Sequence, residues 1–168
     1  KKKIKPAYAF GYGLSYTSFD IFDISVNSLR FCDSLEISGK IKYTGDMAGA
    51  QVVQIYISDI YSTCPKPLQE LRRFEKIFLE PGEEKTFSFT LREEDFSYYD
   101  VEYNTFVCEE GYYDIIVGVS SAAEDYASIK RVYKEGTSPY SYGLNTTCKV
   151  YYENFELKEL LQKFWLQE

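Results

Sequence analysis

Apolar residues recur at every second position along most of the chain, which is the pattern of strands with one buried face. The clearest run covers residues 35–43, where apolar side chains alternate with Glu, Ser and Lys. A second run covers residues 52–58, in which Val53 and Ile55 share the apolar face. Residues 44–49 between them are rich in Gly and Asp and predict a turn. We therefore expect the two runs to form a central β-hairpin.

Other segments have the same alternation or a strand-like composition, and turn signals separate them. They are residues 22–26, 69–80, 86–91, 113–119 and 128–133. Residues 60–68 contain two prolines and predict an irregular crossing. Residues 93–100 predict a compact corner, and residues 101–110 a hairpin or loop. Seven short strands in this arrangement are typical of an all-β fold, an immunoglobulin-like or fibronectin-like antiparallel sandwich.

The N-terminal part of the chain lacks this alternation. Residues 7–17 read Ala-Tyr-Ala-Phe-Gly-Tyr-Gly-Leu-Ser-Tyr-Thr, and their glycines argue against a regular element. The rings of Phe10, Tyr12 and Tyr16 need a surface to pack on, so we predict an ordered loop that these rings hold in place. Because two glycines let its backbone lie close to another surface, this loop is the candidate contact with a neighbouring domain.

The C-terminal part predicts a linker followed by a helix. Residues 136–144 are rich in Gly, Pro, Ser and Tyr, and Asn154 can cap a helix that begins near Phe155. Apolar side chains recur there at helical spacing, namely Phe155, Leu157, Leu160, Leu161, Phe164 and Trp165. Their apolar face packs either on the sandwich or on an absent neighbour. The expected organisation is a leading segment or linker at 1–19, the sandwich at 20–135, and the linker and amphipathic helix at 136–168.

Composition excludes several function classes. Hydrophobic residues are 45% and charged residues 27% of the 168, which argues against disorder. A net charge of -7 disfavours nucleic-acid and anionic-membrane partners, and no apolar run is long enough to span a membrane. The chain does not begin with Met, so we expect a piece of a longer polypeptide.

The residue types that bind metals or act as nucleophiles are sparse. Histidine is absent, which excludes Ser-His and Cys-His pairs and imidazole metal sites. Cys32, Cys64, Cys108 and Cys148 form no C-x-x-C pair, so we expect neither a zinc site nor a cofactor. Disulfides and free thiols both remain open. Aromatic residues reach 18%, which fits either a sheet core or a platform for sugar rings.

Six motifs, taken in order, resemble the C-terminal fibronectin type III-like domain of glycoside hydrolase family 3, the β-glucosidase and β-xylosidase family. They are Phe-Gly-Tyr-Gly-Leu-Ser-Tyr-Thr at 10–17, Thr-Gly-Asp and Val-Val-Gln-Ile-Tyr-Ile-Ser within 44–58, Lys-Pro-Leu-Gln-Glu-Leu at 66–71, Phe-Leu-Glu-Pro-Gly-Glu at 78–83, Asp-Phe-Ser-Tyr-Tyr-Asp at 95–100, and Gly-Tyr-Tyr and Val-Gly-Val-Ser-Ser within 111–121. Gln51 and Arg72 depart from the family pattern, which usually has an acidic residue and often a glycine there.

The resemblance implies that the catalytic groups lie on barrel and α/β domains outside these residues, so no catalytic residue is assigned here. The local acidic residues sit in predicted turns, where we expect them to be solvated; they are Glu83, Glu84, Glu93, Glu94, Asp95, Glu109 and Glu110. The expected function is a non-catalytic accessory domain that supports the catalytic domains of a hydrolase acting on terminal β-D-glucosides or β-xylosides. The alternatives are a carbohydrate-binding module, with an oligosaccharide as ligand, and a generic cell-surface adhesive sandwich.

Overall fold

The structure, a computed structural model, describes residues 7–13, 16–101 and 103–136. Strands make up most of this part of the chain. In chain order they are β1 (Phe19–Val26), β2 (Arg30–Phe31), β3 (Ser34–Tyr43), β4 (Gly49–Asp59), β5 (Glu70–Leu79), β6 (Glu84–Arg92), β7 (Tyr98–Asp100), β8 (Thr105–Val107), β9 (Gly111–Gly118) and β10 (Tyr126–Lys134). A short helix α1 (Glu93–Phe96) joins β6 to β7, and a 3-10 turn (Ala123–Asp125) precedes β10.

Two sheets form the sandwich. One has the strand order β1-β3-β6, and the other has the order β2-β10-β9-β4-β5. All pairings are antiparallel except that of β2 with β10. Strands β7 and β8 form a separate two-stranded hairpin. The predicted all-β sandwich is confirmed, and its seven longer strands correspond to the seven segments found from alternation.

The predicted hairpin of β3 with β4 is wrong, because these two strands lie in different sheets. Strand β3 pairs with β1 and β6, whereas β4 pairs with β5 and β9. The segment between them crosses from one sheet to the other. Both edges of β3 are occupied at its end, where Thr44 N–H donates to the Ser18 carbonyl at 3.0 Å and Tyr43 N–H donates to the Glu83 carbonyl at 2.9 Å. The two apolar faces meet across the core instead.

The core lies between the sheets and has strand residues from both. From β3 and β4 it takes the predicted apolar faces, which are Leu35, Ile37, Ile41, Tyr43, Val53, Ile55 and Ile57. Gly39 occupies the same face because the ring of Phe87 on β6 fills its place. A Cβ atom at Gly39 would lie 2.5 Å from Cζ of that ring. The alternation therefore identified the buried face correctly, including its glycine.

Strand β1 departs from simple alternation. Its pairing with β3 shifts between Phe22 and Ser25, and Asp23 has a left-handed φ of 53°. This bulge places Ile21 and Ile24 against the core, while Phe22 is not among the core side chains. An inserted residue moves the side chains on one side of it to the opposite face of the strand. The simple alternation expected over residues 22–26 is therefore wrong at Phe22.

The corner at 93–100 is confirmed as α1 and β7, and the segment after it forms the β7–β8 hairpin. The predicted linker after Gly136, the helix near Phe155 and Cys148 lie outside the described residues. No helix within the described ranges is long and apolar enough to cross a membrane. Cys32, Cys64 and Cys108 are free thiols.

Candidate functional site

The N-terminal loop, residues 7–13, is attached to the end of the five-stranded sheet by its backbone. Phe10 N–H donates to Oγ of Ser121 at 3.0 Å, and Ser121 N–H donates to the Phe10 carbonyl at 2.8 Å. Tyr12 N–H closes a turn on the Ala9 carbonyl at 3.1 Å. This reciprocal pair fixes the loop beside the turn that connects β9 to β10.

Gly11 brings the loop into direct contact with Gln54 on β4. Its φ is +83°, and a Cβ atom there would lie 2.5 Å from Nε2 of Gln54. Gln54 is buried, and both ends of its amide are hydrogen-bonded. Nε2 donates to the Val119 carbonyl at 2.5 Å, while Oε1 accepts from the Tyr56 hydroxyl at 2.5 Å. A side chain at position 11 would displace this amide, so only glycine fits.

Ser121 connects the loop to two further parts of the sandwich. Its carbonyl accepts a hydrogen bond from Nε2 of Gln69 at 2.9 Å and lies 3.0 Å from the oxygen of the Tyr126 hydroxyl. The same hydroxyl donates to Oε1 of Gln69 at 2.5 Å. The start of β5, the start of β10 and the N-terminal loop therefore share one network. Sequence reasoning missed it, although Ser121 and Gln69 both fell within the family-like motifs.

A cavity of about 530 Å³ opens between the N-terminal loop and the outer face of β4 and β5. We call it the loop–sheet groove, and its main lining residues are Phe10, Tyr12, Gln51, Val52, Leu71 and Phe74. Among the described residues that line it, Asp125 carries the single charge. The groove is thus largely apolar, and its polar side chains include two amides, Gln51 and Gln54, and one carboxylate, Asp125.

Two of the three predicted contact residues meet at this groove. Phe10 and Tyr12 line it with largely exposed rings, and Tyr8 packs against Tyr12 with 4.9 Å between ring centroids. Tyr16 is 98% exposed and is not part of the lining. The sequence predicted that the rings of Phe10, Tyr12 and Tyr16 hold the loop in place, but all three rings are largely exposed. Backbone hydrogen bonds and Gly11 hold it, which leaves the rings facing outward.

A second polar cluster lies near the opposite end of the sheet. The ammonium of Lys66 contacts Oδ2 of Asp59 at 2.6 Å and Oε2 of Glu109 at 3.4 Å, and it lies 4.0 Å from the centre of the Tyr98 ring. Glu109 is only 4% exposed and also accepts hydrogen bonds from the hydroxyl and backbone N–H of Thr63. These contacts hold the proline-containing segment 60–68 against the end of β4 and the residues that precede β9.

Asp95 is also buried, at 4% exposed. Its carboxylate accepts hydrogen bonds from both terminal nitrogens of Arg73 at 2.7 Å and from the Arg92 N–H at 2.8 Å. The prediction that the turn carboxylates are solvated is therefore wrong for Asp95 and Glu109. Each has a cationic partner far away in sequence, and that partner offsets the cost of burial.

Neither cluster has the arrangement that glycoside hydrolysis requires, which is two carboxyl groups facing each other across a substrate pocket. Asp59 and Glu109 both contact Lys66, and their neighbourhood is filled by side chains. Burial raises the pKa of the Tyr113 hydroxyl beside them well above its usual range. Within the described ranges, no group of three or more Cys, Asp or Glu side chains is placed to hold a metal ion. These clusters stabilise the fold.

A family model described as fibronectin type III-like domain matches residues 51–121. The thermostable β-glucosidase B of Acetivibrio thermocellus is 44% identical over 122 residues, which cover 71% of this chain and 16% of that enzyme. A β-glucosidase of Kluyveromyces marxianus is 44% identical over 134 residues, which cover 77% of this chain and 15% of that enzyme.

Solved structures agree with these relatives. A GH3 β-glucosidase of Bifidobacterium adolescentis superposes with a TM-score of 0.74 at 28% identity, covering 92% of this chain and 23% of that one. A β-glucosidase of Listeria innocua, solved in complex with isofagomine, gives 0.73 at 36% identity, covering 82% of this chain and 19% of that one. The chain spans about a sixth of the length of the curated relatives it matches. It belongs to the fibronectin type III-like domains of glycoside hydrolase family 3.

Proposed function

We propose that this chain is a non-catalytic accessory domain of a glycoside hydrolase that acts on terminal β-D-glucosides or β-xylosides. In this role the N-terminal loop and the loop–sheet groove pack against a catalytic domain, barrel or α/β, of the same polypeptide. The relatives named above are β-glucosidases, and each is several times longer than the matched part. Their additional length leaves room for the catalytic domains.

The observation that carries this proposal is the outward-facing loop. Backbone hydrogen bonds at Phe10 and Tyr12 fix this loop, and the rings of both residues stay largely exposed. Large apolar side chains that are ordered and exposed together mark a surface that a partner covers. Aromatic side chains also provide much of the binding energy where surfaces meet.

A rigid support of this kind acts on catalysis through position. Catalytic groups on two different domains must be aligned closely, and small displacements cost rate even when they arise far from the reacting atoms. The N-terminal loop of this sandwich is fixed at Gly11 and Ser121. It therefore offers a rigid surface against which the catalytic domains can pack in one orientation.

The test uses the longer polypeptide that contains this segment. The double substitution Tyr12→Ala with Tyr16→Ala removes two exposed rings, so the melting temperature and kcat should both fall in that polypeptide. A tyrosine that acts as an interface hot spot is worth more than about 1 kcal/mol. In the isolated chain the same change should cost no more than about 0.5 kcal/mol.

Tyr61→Ala is the matched control, because Tyr61 is 47% exposed against 51% for Tyr12 and lies outside the groove. It should leave both readouts unchanged. If the double variant of the longer polypeptide keeps the melting temperature and kcat of the wild type, the proposal fails.

Carbohydrate binding is a second candidate, and one feature of the groove favours it. Aromatic faces from Phe10, Tyr12 and Phe74 stand beside the polar groups of Gln51 and Asp125. Sugar rings stack on aromatic faces and hydrogen-bond to carboxylates and amides. In this case the isolated chain should be retained by insoluble β-glucan or xylan, and Phe74→Ala should abolish retention. A chain that passes through both matrices unretained would reject this role.

A further inference from the structure

A second cavity, of about 490 Å³, opens between the N-terminal loop and the 3-10 turn that precedes β10. We call it the tyrosine–carboxylate pocket. Its aromatic and charged lining residues are Tyr8, Tyr12, Glu124 and Asp125, and small side chains line the rest. Tyr12 and Asp125 also line the loop–sheet groove. The pocket and the groove are therefore adjacent parts of one surface, which the N-terminal loop builds on the sheet.

The two tyrosines form an aromatic wall of the pocket. Their ring centroids lie 4.9 Å apart, the ring planes are inclined by 31°, and both rings are largely exposed. The face of a tyrosine ring carries partial negative charge and attracts a cation within about 6 Å of its centre. This wall therefore favours a cationic group over an anionic one.

The carboxylates stand on the 3-10 turn, and the turn is well fixed. Oδ2 of Asp125 accepts a hydrogen bond from the hydroxyl of buried Ser120 at 2.5 Å, and the Asp125 carbonyl accepts from the Val119 N–H at 3.2 Å. Glu124 is exposed beside it. Two adjacent carboxylates on a fixed turn give the pocket a defined negative charge.

Neither carboxylate forms an ion pair with a Lys or Arg of the described ranges, and none of the described lining residues is basic. Other carboxylates of the sandwich are paired within the chain. Those of Asp59, Asp95 and Asp114 lie 2.6, 2.7 and 2.8 Å from a Lys or Arg nitrogen. In the described part of the chain, Glu124 and Asp125 thus present negative charge that no internal cation balances.

We infer that the tyrosine–carboxylate pocket receives an arginine side chain of the catalytic domain that packs on the loop–sheet groove. A guanidinium group is planar, stacks on aromatic rings and binds carboxylates through two parallel hydrogen bonds, so it matches both walls of the pocket. The inference rests on the proposed function, because it names what that domain contributes to the contact. The groove supplies apolar area, and the charge pair fixes the orientation of the two domains.

Glu124 provides the test, because it is exposed and its substitution breaks no hydrogen bond within the described ranges. In the longer polypeptide, Glu124→Gln keeps the shape of the side chain and removes its charge. It should lower the melting temperature by about 2 °C, the shift expected for one modest contact. Glu124→Lys should lower it further, because it places a like charge beside the guanidinium. Tyr8→Leu should also lower it, because it removes one ring face.

Glu36 gives the matched control. It is also an exposed glutamate, but it lies on β3 in the three-stranded sheet and not in the pocket. Glu36→Gln and Glu36→Lys make the same changes in net charge and should leave the melting temperature of the longer polypeptide unchanged. In the isolated 168-residue chain, Glu124→Gln and Glu124→Lys should likewise have no effect, because the arginine comes from another domain.

Three results would overturn the inference. The first is an unchanged melting temperature of the longer polypeptide in both Glu124 variants. If the double substitution of Tyr12 and Tyr16 still lowers it, the proposed function stands and only the arginine contact is lost. The second is an equal loss in the isolated chain, which would assign the cation to this chain itself. The third is an equal loss in the Glu36 variants, which would make it an effect of net charge.

Discussion

At the scale of single residues, the position of the N-terminal loop on the sheet depends most on Gly11, because there is no room for a side chain there. Gly11→Ala places a Cβ on the Gln54 amide and forces a left-handed φ on a residue that disfavours it. We expect a loss of roughly 1–2 kcal/mol in the free energy of unfolding, and faster hydrogen exchange at the Phe10 and Ser121 amides. Denaturant unfolding and exchange measurements check both.

Gly13→Ala is the control for this change, because a Cβ at Gly13 would meet nothing within 4 Å. It should leave stability and exchange at the wild-type level. Equal behaviour of the two variants would contradict the role given to Gly11.

Cys32 is exposed, yet its thiol should react slowly. It donates a hydrogen bond to Oε2 of Glu135 at 3.3 Å, and that bond raises the pKa of the thiol, with the carboxylate charge acting in the same direction. Because the thiolate is the reactive form, a raised pKa leaves less of it at mildly alkaline pH. We expect slow alkylation by iodoacetamide at Cys32 and faster alkylation in Glu135→Gln.

Mass spectrometry of labelled peptides separates Cys32 from the other thiols. A rate at Cys32 that is the same in the wild type and in Glu135→Gln would show that the carboxylate does not control this thiol. The labelled Cys108 peptide gives an internal reference, since burial raises the pKa of that thiol as well.

At the scale of elements, the crossing that precedes β5 depends on Glu109. Glu109→Ala removes an acceptor shared by Lys66 and Thr63 and leaves Lys66 with Asp59 as its carboxylate partner. Because Lys66 keeps its closer carboxylate, Asp59 at 2.6 Å, the main cost is the loss of the acceptor for Thr63, and we expect a loss of about 1–3 kcal/mol in the free energy of unfolding. Urea unfolding midpoints measure it.

Glu110→Ala is the neighbouring control, because Glu110 is exposed and bonds to the Tyr133 hydroxyl at the surface. Its loss should stay within about 0.5 kcal/mol. If both variants unfold at the same urea concentration, Glu109 does not fasten the crossing.

The elements also show what alternation can and cannot predict. It located the strands because facing the core imposes a period of two on each of them. Alternation could not predict which strands pair with each other, because a strand has the same period of two whichever neighbour forms its hydrogen bonds. That is why β3 and β4 were wrongly paired. The bulge at Asp23 and the two-residue β2 were also missed, because neither leaves a periodic signal.

At the scale of the whole molecule, the family could be predicted from the sequence because six motifs occur in one order along the sandwich. The loop–sheet groove could not, because it forms only when residues 7–13 meet the far end of β4, β5 and β9. Asp95 and Glu109 were misjudged for a related reason. Their cationic partners, Arg73 and Lys66, are distant in sequence, so local composition describes them as turn carboxylates.

The loop–sheet groove and the β7–β8 hairpin lie at opposite ends of β9 and β10, and this placement has an energetic consequence. Substitutions separated by the length of β10 share no side chain, so their free-energy effects should add. A substitution at one end should then leave the contribution of the other end to the free energy of unfolding unchanged. The two ends of the sandwich could therefore change independently in evolution, because a substitution at one end needs no compensating substitution at the other.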